Sequence, residues 1–265
     1  MYHNKEYLYN EYIRKNRTEQ SIADECGISV KLLHYYIQKF SLTHIKSRRK
    51  YTLNESKFTL LDPVFCYYAG LVITDGYIDY KNHRVSLRLK NDGSFEMLSA
   101  LKQYFEFSGE IKQYRGCFDL TMTSDVLLTK MSMFGAKEPN KTYTLRFPKL
   151  LSKNEDCKRM FLRGILDGDG NIHTHKSKYT GKIVGGQFRI VTASEAFIAG
   201  LVRFINKQFN FNYTVGKAIV KDVVYPKLEM RTADSLTMYD WIYNGFDSFR
   251  LRDKYLKYQQ LKVKI

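Results

Sequence analysis

Apolar residues run almost unbroken from Val64 to Ile73, which predicts a short buried helix behind the helix-start pair Asp62-Pro63. Arg84-Val-Ser-Leu-Arg-Leu-Lys90 then alternates strictly, with Val85, Leu87 and Leu89 on one face and Arg84, Ser86, Arg88 and Lys90 on the other. That is the pattern of a half-buried strand, with Tyr77–Tyr80 as its hairpin partner. Over Ser94–Phe105 the apolar positions Met97, Leu98, Leu101 and Phe105 fall three and four apart, as on one face of a helix. A second hairpin is predicted from Gly109–Tyr114 and Cys117–Thr123, turning at Arg115-Gly116. Ser124–Phe134 reads as a helix, and Lys141–Leu150 as extended chain.

The same order returns further on. A second apolar helix ends at Asp169; Ser152 with Glu155, or Asn154, can cap its start. Asn171–Lys176 and Gly186–Thr192 read as a hairpin, Ala193–Phe209 as a helix, Tyr213–Lys221 and Val223–Arg231 as strands. Ala233–Tyr243 and a basic segment, Arg250–Leu261, are helical. Each repeat runs αββαββα, so the predicted class is α+β with internal pseudo-symmetry.

The repeat is clearest where each helix ends. Phe65-Cys-Tyr-Tyr-Ala-Gly-Leu-Val-Ile-Thr-Asp-Gly76 and Phe161-Leu-Arg-Gly-Ile-Leu-Asp-Gly-Asp-Gly170 both close on an acid followed by glycine, and Asp75 and Asp169 are 94 positions apart. Small residues sit four apart in each, Gly70 with Thr74 and Gly164 with Gly168, which lets two helix backbones approach. A carboxylate at a helix C-terminus is opposed by the helix dipole. The same misfit on two helices built to touch implies a positive group between the acids.

These two segments resemble the paired signature helices of LAGLIDADG homing endonucleases in single-chain form. Tyr68–Gly76 and Leu162–Gly170 occupy the nine motif positions, and the first copy departs at the sixth, with Ile73 where the second keeps Asp167. The resemblance implies that the two repeats form a DNA-binding saddle. It implies Mg²⁺ or another divalent cation held by Asp75 and Asp169, with metal contacts from the backbone carbonyls of Thr74 and Gly168, and cleavage of both DNA strands. A single chain carrying both motifs is expected to act as a monomer.

The formal net charge of +16 over 265 residues points to a polyanionic partner, with double-stranded DNA the first choice. On the saddle, Arg84, Arg88, Lys90 and Arg189 are the expected DNA contacts. The four cysteines (Cys26, Cys66, Cys117, Cys157) form no C-x-x-C pair, so neither a zinc site nor a disulfide framework is indicated. No signal peptide opens the chain and no apolar run is long enough to span a bilayer, so the expected location is intracellular: cytoplasm, an organelle or a phage-infected cell.

Residues 1–42 read as three short helices. Thr18–Ser29 has the form of a helix, a glycine turn and an N-cap serine opening a second helix. Leu33, Ile37 and Phe40 face inward; Lys31, His34, Tyr35 and Gln38 fall on the other side as candidate base readers of a helix-turn-helix-like unit. A protein-docking module is the competing reading. The predicted organisation is 1–45 for this unit, 46–60 for a basic linker containing Lys46-Ser-Arg-Arg-Lys50, 61–150 for the first repeat and 151–265 for the second.

Phosphodiester hydrolysis needs an activated water, neutralised charge at phosphorus and help for the leaving oxygen. Lys141 and Lys254 are the candidate basic residues near the two acids. His173 and His175 have an H-x-H strand spacing that suits a metal, DNA contact or solvent. Three functions compete: a site-specific DNA endonuclease, an RNA maturase using the same saddle on intron RNA, and a transcription regulator without catalysis. The presence of both acids favours the first over the third.

Overall fold

The computed structural model describes residues 1–15, 17–42, 51–90, 93–136, 141–148 and 154–264. The chain divides into two compact units, Met1–Thr52 and Leu53–Ile265.

In the first unit, α1 (Lys5–Leu8) runs into a π-helical stretch, Tyr9–Arg14, followed by α2 (Glu19–Cys26) and α3 (Val30–Lys39). Each start is capped by a side chain, as expected for Asn, Thr and Ser before a helix. Asn4 accepts from the Glu6 and Tyr7 amides, Thr18 from Ser21 and Ser29 from Leu32. Gly27 ends α2 at φ 64°, a left-handed conformation that glycine adopts without strain. Leu8, Tyr12, Ile22, Ala23, Leu33, Ile37 and Leu42 form the core. The basic run Lys46–Lys50 lies outside the described residues.

In the second unit the first repeat comprises α4 (Pro63–Asp75), β1 (Gly76–Asp79), β2 (Arg84–Leu89), α5 (Ser94–Tyr104), β3 (Lys112–Tyr114), β4 (Cys117–Thr123) and α6 (Asp125–Met133). A single helical turn, α7 (Lys141–Thr144), follows. The second repeat comprises α8 (Glu155–Asp167), β5 (Gly170–Lys176), β6 (Ile183–Val191), α9 (Glu195–Gln208), β7 (Tyr213–Val220), β8 (Val223–Met230) and α10 (Thr232–Ile242), with α11 (Arg252–Lys264) after it. The sheets have matching antiparallel orders, β1-β2-β4-β3 and β5-β6-β8-β7. The fold is therefore α+β with two αββαββα repeats.

Two expectations fail. The second motif helix stops at Asp167, two residues short of Asp169, where Gly168 leaves helical backbone geometry. Lys141–Leu150 is not extended throughout, because it begins with α7. No strand forms over 145–148, although Leu145 and Phe147 are buried with Arg146 exposed between them. The Leu145 carbonyl is taken by the Ser194 hydroxyl at 2.5 Å instead of by a strand partner.

Alternating strand residues bury one face of each sheet: Val85, Leu87, Leu120 and Met122 in the first, Phe188, Ile190, Leu228 and Met230 in the second. Aromatic rings connect the repeats. Phe134 stacks on Phe161 at 5.4 Å, and Phe161 meets Phe147 edge-on at 5.7 Å. Phe58, just before α4, packs against Phe65 and Phe105.

Candidate functional site

The site is built on α4 and α8. Asp62 caps α4 by accepting from the Phe65 amide at 2.8 Å, and Asn154 caps α8 by accepting from Asp156 at 2.8 Å. Ser152, the alternative cap, lies outside the described residues. The helices cross at their glycines. A Cβ on Gly70 would stand 2.9 Å from the Gly164 Cα, and one on Gly164 would stand 2.9 Å from the Gly70 Cα. No larger residue fits at such a crossing.

The close approach continues to the helix ends. A Cβ on Gly168 would overlap the Thr74 hydroxyl and lie 3.0 Å from Asp75 Oδ2. Glycine at 168 thus lets the end of one helix nest against Thr74 and Asp75 of the other. Asp75 and Asp169 are both exposed at this junction.

Within electrostatic reach of both acids is Lys254, on the first turn of α11. Its ammonium donates to the carbonyls of Leu166 (2.7 Å), Gly168 (2.5 Å) and Gly170 (2.7 Å). Those are C-terminal carbonyls of α8 and the first of β5, where the helix dipole favours a cation. Burial pushes the Lys254 pKa down, and the charges of Asp167, Asp75 and Asp169 oppose that. The lysine therefore feels both exposed acids at once.

Two buried groups place Lys254. Asp167 accepts from the hydroxyls of Tyr67 (2.8 Å) and Tyr243 (3.0 Å) and from the Leu251 amide (2.9 Å), tying the start of α11 to the end of α8. Burial pushes the Asp167 carboxyl up, against the pull of these hydrogen bonds and of Lys254. Arg163, fully buried, donates to the carbonyls of Ile242, Asn244, Gly245, Phe246 and Phe249. It fixes the loop between α10 and α11 on one guanidinium. Sequence reasoning left Arg163 without a role; the available signal was a cation at a motif position where the first copy has Ala69.

Lys141 begins α7, and its side chain lies outside the described residues. His173 and His175 are neighbours on the outward face of β5, ring centroids 4.9 Å apart. Burial lowers the His173 pKa, helped by His175 and Arg189. Among the described residues, no three or more His, Cys, Asp or Glu side chains gather as a metal-ion site. The oxygen set at the helix junction is two carboxylates with flanking carbonyls, a hard donor set suited to Mg²⁺ or Ca²⁺.

The outward faces of the sheets carry Arg84, Arg88 and Arg189 as expected, but each is paired with a carboxylate. Arg84 meets Asp79 at 2.8 Å, Arg88 meets Asp119 at 2.8 Å and Arg189 meets Glu229 at 2.5 Å. The last is an ion pair whose alignment falls short of a hydrogen bond. Lys90 is exposed just beyond β2.

In the N-terminal unit, considered by itself, Lys31, His34, Tyr35 and Gln38 all lie exposed on α3. His34 bridges Glu19 (3.1 Å) and Gln38 (2.8 Å) through its two ring nitrogens.

The paired helix ends and the matched sheet orders agree with the sequence motif. The chain is similar in fold to the LAGLIDADG proteins. No protein-family model and no curated protein matches it. Among solved structures, the homing endonuclease I-WcaI bound to its DNA recognition sequence matches with 15% identity and TM-score 0.49, over 80% of this chain and 89% of that one. Mesophilic variants of the homing endonuclease I-DmoI match with 15% identity and TM-score 0.48, over 69% and 96%. The N-terminal LAGLIDADG domain of WhiA matches with 16% identity and TM-score 0.46, over 73% and 92%. The reading of the site rests on the chain's own residues. Among the described residues, no helix is long and apolar enough to cross a membrane.

Proposed function

We propose that this LAGLIDADG-like chain is a site-specific endonuclease that cuts both strands of duplex DNA with divalent metal, acting as a monomer. One observation carries the reading: Asp75 closes α4 and Asp169 lies two residues past α8 where the two helices meet, with Lys254 within electrostatic reach of both. Two like charges at abutting helix C-termini are unfavourable unless cations sit among them. Lys254 supplies one, and divalent metal would supply the rest.

The donor set fits the metal. Asp75 and Asp169 would hold it, with the carbonyls of Thr74 and Gly168 beside them; Lys254 occupies one side of the Gly168 carbonyl, which has two lone pairs. Bound Mg²⁺ would neutralise charge at phosphorus and assist the leaving oxygen. The chain's own residues do the rest. Lys254, its three N–H groups held by helix-end carbonyls, adds fixed positive charge beside the acids where a phosphate would be cut. Arg163 and Asp167 hold it there through α11. Lys141 is the candidate for the corresponding duty near the other strand. The two sheets, with a net charge of +16 in the whole chain, bind the duplex.

We infer further that α3 extends the contact with DNA, through Lys31, His34, Tyr35 and Gln38. Their exposure on one helix, preceded by a glycine turn and a capped start, supports that role.

The test begins with duplexes selected by the protein from a randomised pool, cloned into a supercoiled plasmid. Linear product should appear with Mg²⁺ and be absent with a chelator. Selected plasmids that stay supercoiled across Mg²⁺ and Mn²⁺ would contradict the reading.

A further inference from the structure

The outward sheet faces are less positive than the sequence suggests, and the reason is local. Asp119 on β4 lies opposite Arg88 on β2, and Glu229 on β8 lies opposite Arg189 on β6. The carboxylates are sunk into the sheet while the arginine heads stand above. The Arg88 side chain is 58% exposed and that of Asp119 11%. Arg88 donates from both Nε and Nη2 to Asp119 Oδ2, at 2.9 and 2.8 Å, and the Thr121 hydroxyl holds the other oxygen at 2.6 Å. Glu229 is held on its second oxygen by Lys227 at 2.9 Å. The Arg84 pair differs, because Asp79 also accepts from the Asn82 amide and side chain and so belongs to the hairpin turn.

An arginine used only to grip phosphates gains nothing from a carboxylate beneath it. The acid weakens the attraction to DNA and restricts a side chain whose reach is its advantage. An arginine used to read a base gains orientation. With Nε and one Nη2 proton engaged, Arg88 keeps the Nη1–Nη2 end, the fork that matches O6 and N7 of guanine. Arg189 is held less tightly, by an ion pair from Nε to Glu229 and a 3.5 Å bond from Nη2 to Gln187. We propose that Asp119 and Glu229 are positioning residues for specificity, Asp119 locking Arg88 by hydrogen bonds and Glu229 holding Arg189 by charge, each presenting a guanine reader and suppressing its binding to other sequences. This rests on the DNA-binding reading above.

The register adds a second consequence. Leu87 pairs with Gly76 and Ile190 with Gly170, the glycines that close the two motifs, so these rows correspond. In the next row the first repeat has Ser86 with Thr121, hydroxyls 2.8 Å apart, where the second has Arg189 with Glu229. The locked arginine of the first repeat, Arg88, stands on the opposite side of the Leu87 row from Ser86. The two guanine positions are therefore not related by the repeat symmetry.

The experiment is selection from a randomised duplex pool, without divalent metal, by the full chain and by Asp119→Asn, Glu229→Gln, Arg88→Ala and Arg189→Ala, each checked for an unchanged melting temperature. Wild type should enrich guanine at two positions unequally placed in the half-sites. Each Arg→Ala should erase one of them. Each carboxylate variant should weaken the same guanine preference by roughly tenfold. It should also bind unselected duplex more tightly, with the salt slope steeper by about 0.9 for the negative charge removed. A wild-type motif that survives unchanged in Asp119→Asn and Glu229→Gln would overturn the locking role and leave the DNA-binding function standing. A wild-type selection that enriches no sequence would overturn both.

Discussion

Gly70 and Gly164 face each other across the two signature helices so closely that neither tolerates a side chain. A Cβ on Gly164 would overlap the Tyr67 carbonyl oxygen and stand 2.9 Å from the Leu71 nitrogen. The neighbours are backbone, which cannot rotate away. Gly70→Leu or Gly164→Leu should therefore destabilise the fold by about 1–3 kcal/mol or more. For a unit of this size that lowers the melting temperature by roughly 2–4 °C per kcal/mol. Thermal denaturation followed by circular dichroism checks it; an unchanged midpoint would mean that the helices do not meet there.

Arg163→Met keeps the bulk of the side chain but leaves the carbonyls of residues 242–249 without their donor. Removing the partner of buried polar groups is costly, and a loss of about 3–5 kcal/mol is expected, as for a broken buried charge network. Arg163→Lys should rescue little, because one ammonium cannot reach five carbonyls spread over that loop. Urea denaturation of the three proteins measures this, and full recovery by lysine would contradict the account.

Lys254→Met should lower the rate of strand cleavage about a hundredfold or more, the effect of losing a preorganised charge donor. Binding to selected duplex should change little, since this lysine faces the helix end. Single-turnover cleavage beside an equilibrium binding assay separates the two. Cleavage at the wild-type rate would remove Lys254 from the chemistry.

Deleting residues 1–52 removes a unit with its own core, Leu8 to Leu42. If α3 binds DNA, the footprint should shorten at one end. The salt slope should also fall by about 0.9 for each phosphate that the shortened chain no longer neutralises. The remaining chain, which holds both acids, should still cut. Equal footprints and equal slopes would make the N-terminal unit a docking module.

Much of the fold was legible because periodicity and punctuation agreed. Arg84–Lys90 alternated without exception and became β2; Thr18, Gly27 and Ser29 marked helix ends that the structure uses. The helix junction was legible because the same acid-glycine ending occurred twice, although Asp75 closes α4 while Asp169 lies two residues past α8. What stayed hidden depends on partners distant in the chain. Arg163 finds its carbonyls some 80 residues later, and Asp167 finds Tyr67 100 residues earlier. Asp119 and Glu229 alternate onto the outward face, but which arginine each opposes depends on strand register, so the basic face looked more positive than it is. The Lys141–Thr144 turn has residues that favour strands, yet it forms one helical turn with 142–144 exposed.

The most direct measurement compares wild type with the Asp75→Asn, Asp169→Asn double variant on one selected plasmid, scoring linear product with Mg²⁺ and affinity without it. Asparagine keeps the shape of each side chain and removes the charge that would hold metal. The account predicts that the double variant binds the site within a few-fold of wild type and leaves both strands uncut. Full double-strand cutting by the double variant would contradict it.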